Sequence, residues 1–404
     1  MQPTMPVRLS AAETTLVEQL KAAGADAQAE RITVAGLPSR RVESYHYTDL
    51  RTLLKAVPPL AAPANEASAP ALRVPGAFQL MIANGIVQDN STAPAGVIVG
   101  KSEGPALTLR DDMLVHINTA LARESLNLNL DGKIDPIIQI DRRTEGEAAH
   151  SASSARIYLA DDSEATIIET YSGSQAAHLS NHASYIALGK NARLTHITVD
   201  LSARPATHFA TNEYNLGEGA QLRSLVIHAG ANLSRAHVFA RFAGQGSHAD
   251  FTGLNLVSDG QHCDITMDIN HAVPNTGSKE LYKQIARGRS TAVFQGRIVV
   301  SRDAQKTDGK MMMQGLMLSD EAQILSKPEL EIYADDVVCG HGSTCGQIDE
   351  EMLFYLMSRG VTKADAEVML VRGFLEELID PIEHDELREA LASVIDQWLV
   401  GGLH

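Results

Sequence analysis

Cysteine is scarce: Cys263, Cys339 and Cys345 are the only three, too few and odd in number for a disulfide framework. They read as reduced thiols. Aromatics are scarce too, with nine Tyr, eight Phe and one Trp in 404 residues, so a large core has to be filled by Val, Ile, Leu and Ala. No run of eighteen apolar residues exists, and the longest aliphatic stretches, such as 97–99 and 298–300, are only strand-length. That excludes a membrane-crossing helix. Basic side chains are outnumbered, 34 Lys and Arg against 50 Asp and Glu, for a net charge of −16. Such a field repels phosphate backbones and argues against a nucleic-acid partner. The opening MQPTMPVRLS has no secretory apolar core, so a cytoplasmic location is expected. With 44% hydrophobic and 21% charged residues, the chain is nevertheless rich enough in apolar side chains to fold.

Ser10 and Glu13 have capping-box spacing, with Leu16, Leu20 and Ala23 following at helical intervals, so a helical segment is expected over about 9–36. The Ala/Pro-rich stretch 56–75 reads as a linker or extended arm. From about 80 to 335 short β-branched runs alternate with Gly, Asn, Asp and Ser, and helical periodicity nearly vanishes. Within this region the segments LADDSEATI, LGKNARL, LGEGAQL and AGQGSHADF align on Ala165, Ala192, Ala220 and Ala249, at steps of 27, 28 and 29 residues. A unit of that length cannot bury its own apolar face, whereas stacked units bury a continuous core and pair strands between rungs. A β-solenoid follows; a β-sandwich is the competitor, but it needs no constant step. After Gly346 the pattern turns helical. Asp349-Glu350-Glu351 suit a helix start and Gly360 a stop. Thr362 and Asp365 open a second helix, Asp380-Pro381 breaks it, and a third runs on to Trp398.

Four features carry possible chemistry. Gly96 to Ser102 resembles a phosphate loop, but three strand-forming residues separate its glycines where four loop residues are required. Ten of the fifteen histidines lie within 150–271, and His182, His208 and His237 precede the repeat alanines by even offsets, which would place them on one face as a metal-binding or merely solvated ladder. Cys339, His341 and Cys345 bring two thiols and an imidazole into seven residues among glycines. These are ligand types for iron, zinc or sulfide-bearing clusters, at a spacing that is no standard closed zinc site; a Gly-rich turn with incidental thiols is the alternative. Residues 278–310 carry eight Lys or Arg against three acids, a local reversal that suits an acidic partner or a solvated face.

Several runs resemble the SufB/SufD family of iron–sulfur cluster assembly proteins. They are Ser290-Thr-Ala-Val-Phe294-Gln-Gly296-Arg-Ile-Val, Asp303-Ala-Gln-Lys-Thr-Asp308, Lys327-Pro-Glu-Leu-Glu-Ile-Tyr-Ala-Asp-Asp336 and Gly340-His-Gly-Ser-Thr344, continuing through Tyr355 to Ser358-Arg-Gly360. Tyr45-His46-Tyr47-Thr48 is similar to a signature near the family's N-terminus, with His in the usual Lys/Arg place. The run 334–342 is of the SufD type, and Met311 to Met313 stand where a SufB scaffold would be expected to carry a cysteine.

The resemblance implies a mainly β fold with a right-handed parallel β-helix at its core. Residues 1–55 would be an N-terminal helical region, 56–78 the linker, 79–338 the β-helix and 339–404 a small helical domain. It further implies a non-enzymatic subunit that forms a heterodimer with SufB and binds the ABC-type ATPase SufC, whose closure on ATP shifts the SufB interface. Phe354, Tyr355, Arg359 and Phe374, on the C-terminal helices, are the candidate partner-binding residues. His341, with Cys339 as its weaker neighbour, would meet transient iron or a nascent iron–sulfur cluster at the SufB interface, with no tightly bound cofactor, no membrane and no nucleic acid. The likeness does not extend to Cys345. In isolation the chain could pair with a second copy of itself. Two other classes remain: a free-standing His-rich metal-binding β-solenoid, and a polysaccharide-active solenoid, which the low aromatic content disfavours.

Overall fold

A computed structural model describes residues 8–64, 69–88, 92–104 and 110–402. Residues 1–7 of the N-terminal region, 65–68 of the linker, 89–91 and 105–109 of the core and 403–404 at the end lie outside the described residues. The chain opens with α1 (Ala11–Ala22), α2 (Asp26–Ala35) and α3 (Leu50–Leu53), then β1 (Phe78–Ala83), β2 (Ile86–Val87) and β3 (Val97–Glu103), and a helix α4 (Met113–Leu121). The β region continues with β4 (Glu124–Leu130), β5 (Ile138–Thr144), β6 (His150–Leu159), β7 (Glu164–Gly173), β8 (Leu179–Leu188), β9 (Arg193–Asp200), β10 (Thr207–Leu216) and β11 (Gln221–His228). It ends with β12 (Leu233–Phe242), β13 (His248–Val257), β14 (His262–His271), β15 (Gly277–Ala286), β16 (Thr291–Val300), β17 (Asp308–Met317), β18 (Gln323–Ile332) and β19 (Val338–Gly346). Three helices close the chain, α5 (Glu350–Ser358), α6 (Lys363–Glu376) and α7 (Asp385–Gly402).

Two sheets face each other, as they would in a sandwich, but their connectivity is that of a solenoid. From β4 on, even strands stack in one sheet and odd strands from β5 in the other. Each strand pairs in parallel with the strand two places away in sequence, so the chain coils through about eight turns. Among the described residues only β1–β2 and β3–β4 are antiparallel, at the N-terminal end. The lumen between the sheets is filled by aligned aliphatic files, such as Leu128, Ile157, Ile186, Tyr214, Ala240, Ile269 and Ile298 on successive rungs. Each fully buried Leu or Ile there contributes roughly 1.5–3 kcal/mol, which is how a core so poor in aromatics holds.

The repeat seen in the sequence is real, but its register is not the one inferred from the alanines. Ala165 pairs with Leu194, Leu194 with Leu222 and Leu222 with Ala249, so Ala192 and Ala220 sit two residues early, in the corners. A slip of two leaves side chains on the same face, which is why the period survived the misalignment. The corners explain the recurring Gly, Asn and Asp. Asp162, Asn191, Gly219, Gly246, Asn275 and Lys306 all adopt positive φ, between 53° and 73°. Each donates its amide to a carbonyl one rung on, from Asp162 N–H to Lys190 O through to Lys306 N–H to Asp336 O. A left-handed residue is required once per coil, and Gly, Asn and Asp, which fill five of these six positions, bear it most cheaply, whereas Lys306 adopts it at a cost.

Helices cover both outer faces. On the even-strand sheet, α1, α2 and α4 bury Leu16, Leu20, Ile32, Leu114 and Ile117 against Leu179, Phe209 and Leu233. Ser10 and Glu13 form the capping box that the spacing predicts. Helix α4 was not legible, because it is a single three-turn insertion in β texture. On the odd-strand sheet, α6 and α7 bury Val371, Leu375, Leu391 and Ile395 against Ile168, Ile197, Leu225, Leu254 and Ile285. Thr362 caps α6 by accepting from the Asp365 amide. Residues 339–346, which the sequence reading places at the head of the helical domain or in a Gly-rich turn, form the solenoid's last strand instead. Gly340 and Gly342 are tolerated there because β17 supplies a complete parallel partner.

Candidate functional site

Sheet pairing stops at β18 and β19, and the side chains that would face the lumen of a further rung are left at its mouth. Along β19 the inward positions are Cys339, His341, Ser343 and Cys345, since they continue inward files of the odd-strand sheet. Cys339 stacks on Gly309 and Ser278; His341 on Met311 and Glu280; Ser343 on Met313 and Tyr282; Cys345 on Gly315 and Gln284. The two thiols and the imidazole singled out from sequence therefore do share one face. His341 and Cys345 are exposed, and Cys339 is half-buried against the core. Burial raises the Cys339 thiol, helped by the Asp308 and Glu280 carboxylates and opposed by the Gly309 backbone. Burial raises Cys345 likewise. Both thiols are thus held protonated near neutrality until a cation or sulfur ligand favours the thiolate. Among the described residues no three His, Cys, Asp or Glu side chains are already gathered for a metal, so this stripe offers a partial donor set.

The mouth is flanked by apolar surface. Ile332, Tyr333 and Val338 are exposed beside it, and α5 exposes Met352, Phe354, Tyr355 and Met357, with Phe354 at 72%. Arg359 lies over the Tyr355 ring at 4.7 Å. Phe374 is placed differently from these three: it packs among the core residues under α6, with the Lys283 ammonium 4.4 Å over its ring.

The histidines do not form one ladder. His182 pairs in register with Ala210, His208 with Ser180 and Ser234, and His237 with Thr211. His182 and His208 face the lumen, while His237 faces outward near Asp112. The corner at 243–247 is one residue longer than those at 189–192 and 217–220, and an odd insertion reverses parity. Inside, Tyr171 stacks 5.3 Å from His182 and 4.5 Å from His208, and burial pushes His208 down to about 4. These are neutral, packed imidazoles.

Other sequence candidates resolve plainly. The glycine-flanked stretch 96–102 lies largely in β3, paired to β4, where no amide nest can wrap a phosphate. The basic run is mostly neutralised: Arg289 pairs with Glu321, Arg297 with Asp268 and Glu331, Lys306 with Asp336, and Lys283 with Glu377. The motif at 45–48 is a clasp. Tyr45 donates to Asp112 at 2.7 Å, Thr48 donates to Asp264, and Arg235, paired with Asp264, lies 4.2 Å over the Tyr45 ring.

Sequence reasoning missed the polar groups inside the lumen. Arg142 and Glu169 are fully buried and paired at 2.7 Å, with His196 3.1 Å from the same carboxylate. Glu280 is buried with neither oxygen hydrogen-bonded. Alternation of period 2 does not say which alternate is inward, so a polar lumen looks the same as a polar outer face.

Comparison with known proteins agrees with this architecture. Residues 142–374 match the family model described as SUF system FeS cluster assembly, SufBD core domain. The chain is 30% identical over 391 residues to the iron–sulfur cluster assembly protein SufD of Escherichia coli (strain K12), covering 92% of each. An iron–sulfur cluster assembly SufBD family protein of Synechocystis is 31% identical over 250 residues, 59% of this chain and 55% of that one. The chloroplastic protein ABCI7 of Arabidopsis thaliana is 26% identical over 236 residues, 58% of this chain and 50% of that one.

Proposed function

We propose, because the chain belongs to the SufBD family of SUF-system iron–sulfur cluster assembly proteins, that it serves as the SufD-type, non-enzymatic subunit of a cytoplasmic complex with SufB and the ATPase SufC. The observation that carries this reading is the unfinished end of the solenoid. An edge strand presents unpaired backbone groups that a second chain can satisfy, and here the edge carries Cys339 and His341 among the exposed Ile332, Tyr333 and Val338. SufB would extend or face this edge, and His341 would meet iron or a nascent cluster between the two chains. A single chain offers only a partial donor set, which suits a site completed by a partner. Helix α5, with Met352, Phe354 and Tyr355 outward, would seat SufC. Its neighbours α6 and α7 are bound to the odd-strand sheet and would pass the ATPase's motion to the solenoid.

An anaerobic pull-down with the two partners, followed by iron and sulfide analysis, tests the assembly. His341→Ala should leave the complex intact and lower cluster output in cells. Unchanged output would remove His341 from the reaction.

A further inference from the structure

The lumen's open end has an acid beneath it that nothing above employs. Glu280 shares an inward file with Phe251, Met311 and His341 on successive rungs of the odd-strand sheet. It lies two rungs below His341, roughly 10 Å along the stack. In the neighbouring file Gly309 separates Ser278 from Cys339. A Cβ on that glycine would lie 3.6 Å from the Cys339 sulfur and 3.7 Å from the Ser278 hydroxyl, so the rung between the mouth and the acid is thin. Glu280 is 1% exposed, and neither carboxylate oxygen has a hydrogen-bond partner. The polar groups around it are Ser278 and Tyr282 on its own strand, Asp250 on β13, His271 on β14 through Ser278, Asp308 on β17, and Cys339 and His341 on β19. None of them is a fixed cation. Burial pushes Glu280 up to about 8, and the nearby Ser278 hydroxyl, which makes no well-formed hydrogen bond to it, offsets that only in part. Ordinary packing would not retain an unpaired acid at such a position, since an apolar side chain fills the file at lower cost.

We infer that Glu280 is the internal counter-charge for a divalent, thiolate-accepting cation, such as ferrous iron, bound at the Cys339–His341 mouth. Resting on the reading that this mouth handles iron, the inference adds how one chain tolerates the arriving charge. The cation takes the Cys339 sulfur as thiolate, releasing that proton. Glu280 ionises in the field of the remaining positive charge and releases a second. Two protons leave for each cation, and the net charge added to the end is zero. In a low-dielectric lumen a carboxylate at this range acts on the site without touching the metal.

The test uses the full chain under anaerobic conditions with cobalt(II) as the probe, whose coordination positions beyond Cys339 and His341 water can fill in place of a partner's ligands. The thiolate-to-cobalt absorption reports Cys339 where Cys339→Ser abolishes it and Cys345→Ser leaves it, and an indicator dye in weak buffer at pH 7 counts released protons. Wild type should show a saturable thiolate band. Glu280→Gln, which preserves shape, should bind cobalt at least tenfold more weakly and release about one proton fewer, with an undiminished melting temperature. Equal affinity and equal proton release in the two proteins would overturn the inference, and so would the absence of any thiolate band in wild type. Either result leaves the His341 reading to the cluster-output assay, so the two can fail separately.

Discussion

Thr48 donates its hydroxyl to Asp264, 216 residues further along the chain, on the outer face of β14. Asp264 is already paired with the buried Arg235, whose guanidinium also reaches the Ser44 carbonyl and covers the Tyr45 ring. The N-terminal helices are therefore fastened to the solenoid by one short motif. Thr48→Val keeps the shape and deletes the donor, and should cost about 1–3 kcal/mol in chemical denaturation. The neighbouring His46→Ala, at an exposed position, should stay within about 0.5 kcal/mol. Equal effects of the two would deny the clasp.

Buried imidazoles set an acid limit on stability. His150, His208 and His271 are each pushed down to about 4 by burial. The unfolded chain binds a proton on each near pH 6.5 and the folded chain does not, so stability is full above that pH and falls as pH drops toward 4. The slope is about 1.4 kcal/mol per pH unit for each group. Glu280 acts in the opposite direction. Raised by burial to about 8, it keeps its proton in the folded state while the unfolded carboxyl loses one near 4.3, so stability declines from there up to about 8. Denaturation midpoints should therefore peak near pH 6–7, and Glu280→Gln should steepen the rise between about pH 4.3 and 6.5, flatten the fall above it and so move the peak to higher pH. A peak unmoved by that substitution would show the acid to be solvated.

Much of the molecule was legible in the sequence because its strongest signals are periodic. One left-handed corner residue per rung, from Asp162 to Lys306, writes the solenoid into the chain at near-constant spacing. Cys339 and His341 were legible as a pair because they lie two residues apart among glycines; the strand that puts them on one face was not legible, since its glycines read as a turn. What stayed hidden depends on parity across corners. The extra residue at 243–247 turned His237 outward, and no local pattern marks it. Glu280 was hidden because Lys279 and Lys283 flank it in sequence, which makes a buried file look like a charged surface. Phe374 was grouped with Phe354 and Tyr355 because helical spacing shows an apolar face without showing what covers it.

The buried pair Arg142–Glu169 should prove costly to break and cheap to replace whole. Arg142 donates from its Nε to Glu169 and from its other nitrogens to Ser153 at 2.9 Å and Ser184 at 2.7 Å, with 0% exposure on both side chains. Arg142→Met alone strands a carboxylate held well below its usual range by that guanidinium against burial. A loss of about 3–5 kcal/mol is expected. Adding Glu169→Leu should recover much of it. A double variant no more stable than the single one would show that the network is needed as a unit.

The exposed face of α5 should separate binding from folding. Phe354 is 72% exposed, so Phe354→Ala removes little packing from the chain itself. Its melting temperature should stay within about a degree, while, on the proposed docking of SufC, affinity for that ATPase should fall by about 1–2 kcal/mol, the cost of an aromatic anchor at an interface. Isothermal titration against purified SufC measures this directly. Unchanged affinity, or no binding by the wild type, would remove α5 as the proposed docking surface.

Lys283 tests whether the C-terminal helices are mechanically part of the solenoid. Its ammonium, 1% exposed, rises from the outer face of β15, donates to the Phe374 carbonyl at 2.6 Å and to Glu377, and lies over the Phe374 ring. One residue thus ties the end of α6 to a strand two rungs from the mouth. Lys283→Met keeps the apolar stem and deletes the charge; Glu377, mostly exposed, can return to water. The expected loss is about 1.5–3 kcal/mol, confined to the helices and read as faster amide exchange over 363–399 with the lumen strands unchanged. If an ATPase on α5 drives the far edge through this anchor, the variant should bind the ATPase normally yet yield less cluster for each ATP spent. Unaltered exchange across α6 and α7 would mean that their apolar face alone holds them, and Lys283 would then have no part in transmission.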